Sequence, residues 1–286
     1  MRAELFQLPR RRSRLLCEAF AGALRAGGRH EAKITLVTPA DREVTSDAPL
    51  VAHYGLEGPL RDLHRARCRE PGRFRTLLFD LGYWGRHEGG RYAGYHRAVF
   101  NRLHTAYDHA QIYDRARVER LGVPRAARAH LDGQYVVLIG QSDKAGWVYD
   151  LGPGEWEREA VETMRCHTDR DIYFVRKLSA RVSAQPPAGT APTTEPLAAL
   201  FASAWAVVAH HSNALLDALL AGVPVFCADG MARGLAETDL TRIESPRRVS
   251  ATEVDNLIAC AANAQWTMAE VGDGTALRSF EAGGML

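Results

Sequence analysis

Two short stretches of this sequence hold residues whose types and spacing suit work on a charged, polar substrate. The first is His210-His211-Ser212-Asn213, set between the apolar runs 206–209 and 214–220. A buried strand that ends in a polar turn and opens a helix leaves backbone N–H groups facing that turn. The helix dipole adds positive potential there. A phosphate or diphosphate is the natural occupant, with the Ser212 hydroxyl as a further donor. The same residues fit a plain strand–helix–strand crossover in which Ser212 and Asn213 only cap the helix. The residues alone leave these two readings even.

The second stretch is Asp80-Leu81-Gly82-Tyr83-Trp84-Gly85-Arg86, directly after the apolar run 74–79. A carboxylate at the end of a strand can take a proton from an acceptor hydroxyl, so Asp80 is the candidate general base. Tyr83 and Trp84 offer flat faces to a sugar or base, and Arg86 a phosphate contact. Gly82 and Gly85 let backbone approach a ligand closely. The alternative is that Asp80 starts a turn and the aromatic pair packs on the core. A further polar cluster, Tyr95-His96-Arg97 with Asn101, lies on one expected strand. Period-two alternation puts Tyr95, Arg97, Val99 and Asn101 on one face and His96, Ala98 and Phe100 on the other.

The elements that must position these residues follow from hydrophobic spacing. In the first half, helices are expected over 10–28 and 57–69, and strands over 33–37, 50–54, 74–79 and 95–100. In the second half, strands are expected over 135–139, 171–175, 206–209 and 223–227. Helices are expected over 153–166, 197–202, 213–220 and 252–264. Alternation of strand and helix marks parallel sheets covered by helices. The region 105–133 is polar, rich in arginine and poor in periodicity, so the domain boundary is expected near 130, with domains 1–130 and 131–286. The expected class is α/β, with two Rossmann-like domains facing each other across a cleft. In such folds ligands bind beyond the carboxyl ends of the strands.

Composition bounds the rest. Of the 286 residues, 46% are hydrophobic and 24% charged, which is ordinary for a globular protein. No stretch of 18 apolar residues is present, and the basic start lacks a signal-peptide core, so a cytoplasmic protein is expected. The five cysteines form no C-x-x-C pair, and His104 and His109 are poorly spaced for one helix face; no metal site is expected. The net charge of +2 hides an asymmetry. Residues 1–150 hold 25 Lys and Arg against 17 Asp and Glu, whereas residues 151–286 hold 11 against 17. A basic first half implies an anionic partner, and the cluster Arg10, Arg11, Arg12 and Arg14 lies within it.

The segment 205–226 resembles the strand, Asn/His-Ser, helix, Glu-Ala-Leu-x-x-Gly-x-Pro-Val signature of GT-B glycosyltransferases. The likeness is to the capsular-polysaccharide type and its bacteriophage relatives, including phage DNA glycosyltransferases, and extends to sugar-nucleotide 2-epimerases. Segments 135–141 and 171–177 resemble further strands of the same donor domain. The basic Arg/Lys-Pro-His-Pro element of that family is here Arg176 and Lys177 followed by Leu178-Ser179-Ala180. The resemblance implies a donor site at Gln141, Arg176, Lys177, His211, Ser212 and Asn213, with Asp217 in place of the family's Glu on sugar hydroxyls. Segments of the D-x-G-Y-x-x-R and Y-x-R-x-x-x-N kind are similar to elements of the phage relatives. They imply an acceptor site at Tyr83, Trp84, Arg86, Arg97 and Asn101, with Asp80 as base.

The implied reaction is metal-independent transfer of a sugar from a nucleotide-sugar, such as a UDP-sugar, without a further cofactor. The acceptor is anionic: DNA bearing a 5-hydroxymethylated pyrimidine, in host cytoplasm if the gene is a phage's, or an acidic polysaccharide. Binding to DNA through arginine–phosphate contacts would weaken steeply with salt. A sugar-nucleotide epimerase is the rival enzyme class, and a binding protein that keeps the fold without turnover is a third.

Overall fold

In a computed structural model of the chain, residues 1–129, 132–142, 148–177 and 185–286 are described. Leu178, Ser179 and Ala180, which stand where the resembled family has Pro-His-Pro, lie outside them. The chain divides into two compact units, Met1–Thr105 with Ala261–Leu286, and Ala106–Cys260.

The first unit is built on a six-stranded sheet of order β11-β5-β4-β3-β1-β2. Strands β1 (Arg2–Gln7), β2 (Glu31–Leu36), β3 (Leu50–Tyr54) and β4 (Arg75–Leu81) run parallel; β5 (Tyr95–Phe100) and β11 (Gln265–Thr267) close the far side in antiparallel pairs. Helix α1 (Arg11–Ala26) covers one face and α2 (Pro59–Cys68) the other. Alternation along β1 explains how one strand serves both faces. Ala3 and Leu5 join Leu16, Phe20 and Leu24 of α1, while Phe6 and Leu8 meet Leu60 and Leu63 of α2. Rings lock the α1 side: Phe20 stands edge-on to Phe79 at 5.4 Å, and Phe280 edge-on to Phe100 at 5.2 Å.

The second unit holds a five-stranded, fully parallel sheet of order β10-β9-β6-β7-β8. Its strands are β6 (Tyr135–Ile139), β7 (Ile172–Val175), β8 (Ala191–Thr193), β9 (Ala204–Ala209) and β10 (Val225–Cys227). Helices α3 (Ala116–Arg120), α4 (Glu155–Arg165), α5 (Leu197–Phe201), α6 (Ala214–Leu220) and α7 (Ala251–Asn263) accompany them. Strands buried on both faces read as unbroken apolar runs, and Val136, Val137 and Leu138 of β6 are all fully buried. Gly222, at φ +80°, turns α6 back toward β10; an added Cβ there would strike the Arg128 carbonyl.

Both units are Rossmann-like, as expected, but they divide elsewhere. The boundary falls after Thr105 rather than near 130, and the last 26 residues return to the first unit. Two physical causes account for this. The polar stretch 106–129 is pinned within the second unit, where Asp255 of α7 pairs with Arg115 at 3.1 Å and Arg125 at 3.0 Å. Meanwhile β11 pairs with β5, and α8 (Met268–Gly272) and α9 (Thr275–Ala282) bury Val271, Leu277 and Phe280 in the first core. A capping box between Thr267 and Glu270 starts α8.

Candidate functional site

In the second sheet the strand order reverses between β6 and β9, which are neighbours although β7 and β8 intervene in the chain. Connections leave this pair in opposite directions, so a crevice opens beyond their carboxyl ends. The loops delivered there are Gly140-Gln141-Ser142 after β6 and His210-His211-Ser212 after β9. Arg176 and Lys177 follow β7, the next strand over. The structure therefore brings Gln141, Arg176, Lys177, His211, Ser212 and Asn213 to one edge of one sheet.

Local contacts hold these loops. Gly140 is required because a Cβ would come within 2.9 Å of the Phe174 ring. The Gln141 N–H donates at 2.6 Å to Glu157, a first-turn carboxylate of α4 that is 1% exposed. The Gln141 side-chain oxygen is buried and lacks a hydrogen-bond partner among the described residues. Ser212 Oγ accepts from the Ala214 N–H at 3.3 Å, which braces the turn that leads into the helix. Asn213 is already helical and its side chain makes no cap. Helix α6 is only seven residues long, so the dipole at this turn is small. Asp217 is exposed, on the side of α6 away from Leu215, Leu216 and Leu219.

An element that sequence reasoning did not find braces the turn. Asp229, two residues after β10, accepts at 2.7 Å from the Tyr149 hydroxyl, and its backbone N–H donates to the His210 carbonyl at 2.9 Å. Tyr149 lies against both histidine rings, with centroids 4.3 Å from His210 and 5.0 Å from His211. The two Nδ1 atoms are 3.0 Å apart, so one ring donates and the other accepts. Burial holds the His210 pKa below its ordinary value, and the nearby Asp229 charge only partly offsets this. Gly230 carries φ +107° and sits against His211. The signal available in the sequence was the Asp-Gly pair directly after an apolar strand.

In the first unit, Asp80 is not in a loop. It is the cross-strand partner of Arg97 in the β4–β5 pair, and its Oδ2 meets the guanidinium at 2.7 Å. Oδ1 accepts from the Leu81 N–H at 2.8 Å. Burial alone would raise the Asp80 pKa, but the Arg97 charge and the two hydrogen bonds outweigh it and lower it. The carboxylate is thus ionised at neutral pH, with its side chain 39% exposed. Arg97 also faces His104 at 3.4 Å and stands 5.7 Å from the Tyr83 ring centre.

The other first-unit residues are largely occupied by the fold. Tyr83 is buried, with its hydroxyl on Thr105 at 3.1 Å and its N–H on Gln265 at 2.7 Å. The same Gln265 oxygen reaches the Trp84 N–H at 3.3 Å, and Trp84 itself is half-buried. Gly82 is small because Tyr95 and Gln265 crowd it, not to admit a ligand. Arg86 folds back onto the Gly82 carbonyl at 2.6 Å. Asn101, at φ +53°, closes the β4–β5 pair by accepting from the Thr76 N–H at 2.8 Å. Asp80, Arg97 and Tyr83 are brought together, while Arg86 and Asn101 serve their own turns.

No group of three or more metal-ligating side chains occurs among the described residues. The sequence holds one Asp-x-Asp, Asp169-Arg170-Asp171. It precedes β7, at the amino edge of the sheet, where Arg170 pairs with Glu244 at 2.9 Å and stacks 4.0 Å from Trp205. Among the described residues, no helix is long and apolar enough to cross a membrane.

No known protein family and no curated protein matches the chain. Solved structures do. One is similar to it at TM-score 0.52 and 13% identity, over 97% of this chain and 100% of the other: the beta Kdo 2,7 transferase KpsC of Thermosulfurimonas dismutans. The beta Kdo 2,4 transferase of the same KpsC aligns at TM-score 0.48 and 14% identity, over 93% and 91%. The first likeness spans both α/β units, and the chain has the GT-B fold of two Rossmann-like units.

Proposed function

We propose that the chain transfers a sugar from a nucleotide-sugar to an anionic acceptor. The observation that carries this reading is the crevice edge of the second sheet, where the Gln141 loop and the His211-Ser212-Asn213 turn flank the strand reversal and Arg176 and Lys177 follow the adjoining strand. The fold supports it, because it is the one shared with a sugar transferase along the whole chain.

In this reading the second unit holds the donor. Arg176 and Lys177 offset the charge that grows on the leaving diphosphate, a stabilisation strongest as the sugar bond breaks. His211 and Ser212 orient the phosphates, and Asp229 with Tyr149 keeps both histidines in place. A divalent ion is not needed for this step. The first unit holds the acceptor. Asp80, ionised and fixed by Arg97, accepts the hydroxyl proton as the oxygen attacks the anomeric carbon. Its lowered pKa makes it a modest base, so it acts chiefly by orienting the hydroxyl. The unit is cationic, with 20 Lys and Arg against 14 Asp and Glu, while the second unit has 16 against 20. That asymmetry favours an acidic acceptor, with DNA and acidic glycan as the two classes to compare.

A thermal-shift screen with nucleoside diphosphates tests the donor assignment, since a ligand of the native state raises its melting point by mass action. A rise abolished by Arg176→Ala and by Ser212→Ala supports the reading. No rise with any nucleoside diphosphate overturns it.

A further inference from the structure

The chemistry above gives His211 a task and His210 none, although His210 is the more deeply buried of the two. His210 is 6% exposed, whereas His211 is half-buried. The His210 carbonyl accepts from the N–H groups of Ala228 at 3.1 Å and Asp229 at 2.9 Å, which fixes its backbone to the loop after β10. Its ring is held as well. Tyr149 lies against it at 4.3 Å, and Trp156 of α4 stands edge-on at 5.5 Å. Asp229 is itself anchored, since it accepts from the Tyr149 hydroxyl and, at 2.7 Å, from the Gly230 N–H. Against this fixed ring His211 stands edge-on, with the ring planes at 86° and the Nδ1 atoms 3.0 Å apart.

An uncharged imidazole carries one N–H. Of two uncharged rings joined through their Nδ1 atoms, one gives that bond its proton. If His211 gives it, the His211 Nε2 is a bare lone pair, which repels an anion. If His210 gives it, the His211 proton sits on Nε2, at the far edge of the ring from His210. Only the second arrangement lets an uncharged His211 donate to an oxyanion. Burial favours the uncharged form of His210, against the pull of the Asp229 carboxylate, so its single proton is available for His211.

We propose that His210 is a positioning residue for the donor phosphates. Its Nδ1–H donates to His211 Nδ1 and so fixes the His211 proton on Nε2, from which the ring donates to an oxygen of the diphosphate. The identity of that anion rests on the proposed function.

The test is nitrogen-15 NMR of the histidine rings of the full chain near neutral pH, with the two signals assigned through His210→Asn and His211→Gln. UDP, ADP, GDP and CDP are titrated in turn. The expected spectrum has a protonated Nε2 and a bare Nδ1 at His211, and a saturable shift of that ring with at least one nucleotide. His210→Leu cannot donate, and should release the His211 proton to both nitrogens and weaken the nucleotide about tenfold. His210→Asn can donate from its amide, and should regain most of the affinity and the Nε2 proton. A purely structural role would give no such rescue of the proton position. A His211 proton on Nδ1, protons on both nitrogens, or an asparagine no better than leucine overturns the assignment and leaves the sugar-transfer reading in place. Rings that ignore all four nucleotides remove that reading, and the task of His210 with it.

Discussion

The two sheets present polar groups at their carboxyl edges by opposite means. The second sheet is parallel throughout, and its candidate residues lie in loops just past the strands, held by a few side chains such as Asp229 and Glu157. The first sheet adds two antiparallel strands, so Asp80 and Arg97 face each other inside a ladder. A residue in a loop can move with its ligand, whereas one in a ladder has its position set by backbone pairing. The comparison suggests that the second unit adapts to its substrate while the first is preformed.

Acid should separate the two units most strongly. Burial pushes His53 down to about 3, and His64 and His96 each to about 4. Nearby positive charge adds to the effect at His53 and His96, and backbone hydrogen bonds to Gly55, Arg102 and Gly94 oppose it at His53, His64 and His96 respectively. All three lie in the first unit. A depressed histidine pKa means that the unfolded chain binds the proton more readily. Their stabilisation is therefore complete above pH 6.5 and is lost as pH falls from there toward 4. Each costs about 1.4 kcal/mol per pH unit in that window. Hydrogen exchange at pH 7 and pH 5 should show the amides of β3 and β5 losing protection well before those of β6 and β9. Equal loss in both sheets would remove the contrast.

Asp80→Asn comes next, with an expected fall in turnover of about a hundredfold or more and an unchanged nucleotide dissociation constant. Equal loss of both would tie Asp80 to the donor instead. Gly222→Ala should cost about 2 kcal/mol, read as a lower urea midpoint, because the residue would need both a left-handed backbone and room held by the Arg128 carbonyl. Tyr149→Phe removes one hydrogen bond to Asp229, worth about 1 kcal/mol. Its mark should be a raised KM for the donor with kcat little changed. The smallest effect expected is that of a chelator: turnover in EDTA should equal turnover without it.

Most elements were legible because their signals are local. Strands 50–54, 95–100 and 135–139 match β3, β5 and β6 residue for residue: the first and last are short, largely apolar runs bounded by glycine or a polar turn, and 95–100 reads by period-two alternation. Strand β1 was missed. Its apolar positions Ala3, Leu5 and Phe6 serve two cores at once, and Arg2 and Glu4 break the run. Strand β11 is three residues long and exists only through pairing with β5, 165 or more residues earlier. The Asp80–Arg97 pair was hidden for a similar reason: its register depends on the loop 82–94, which no periodicity reveals. The crevice edge of the second sheet was legible because each of its residues directly follows a strand. Asp229 was missed because its partner, Tyr149, is 80 positions away.

The return of the chain to the first unit has a consequence for biosynthesis. During translation the second unit is complete once Cys260 has emerged, while the first still lacks its outermost strand. Until residues 265–267 arrive, β5 presents an unpaired border with Arg97 and His96 on it, the kind of border that invites pairing with another chain. The nascent chain is thus most exposed to misassembly at β5, and shielding of that border by a chaperone would matter until residues 265–267 have emerged.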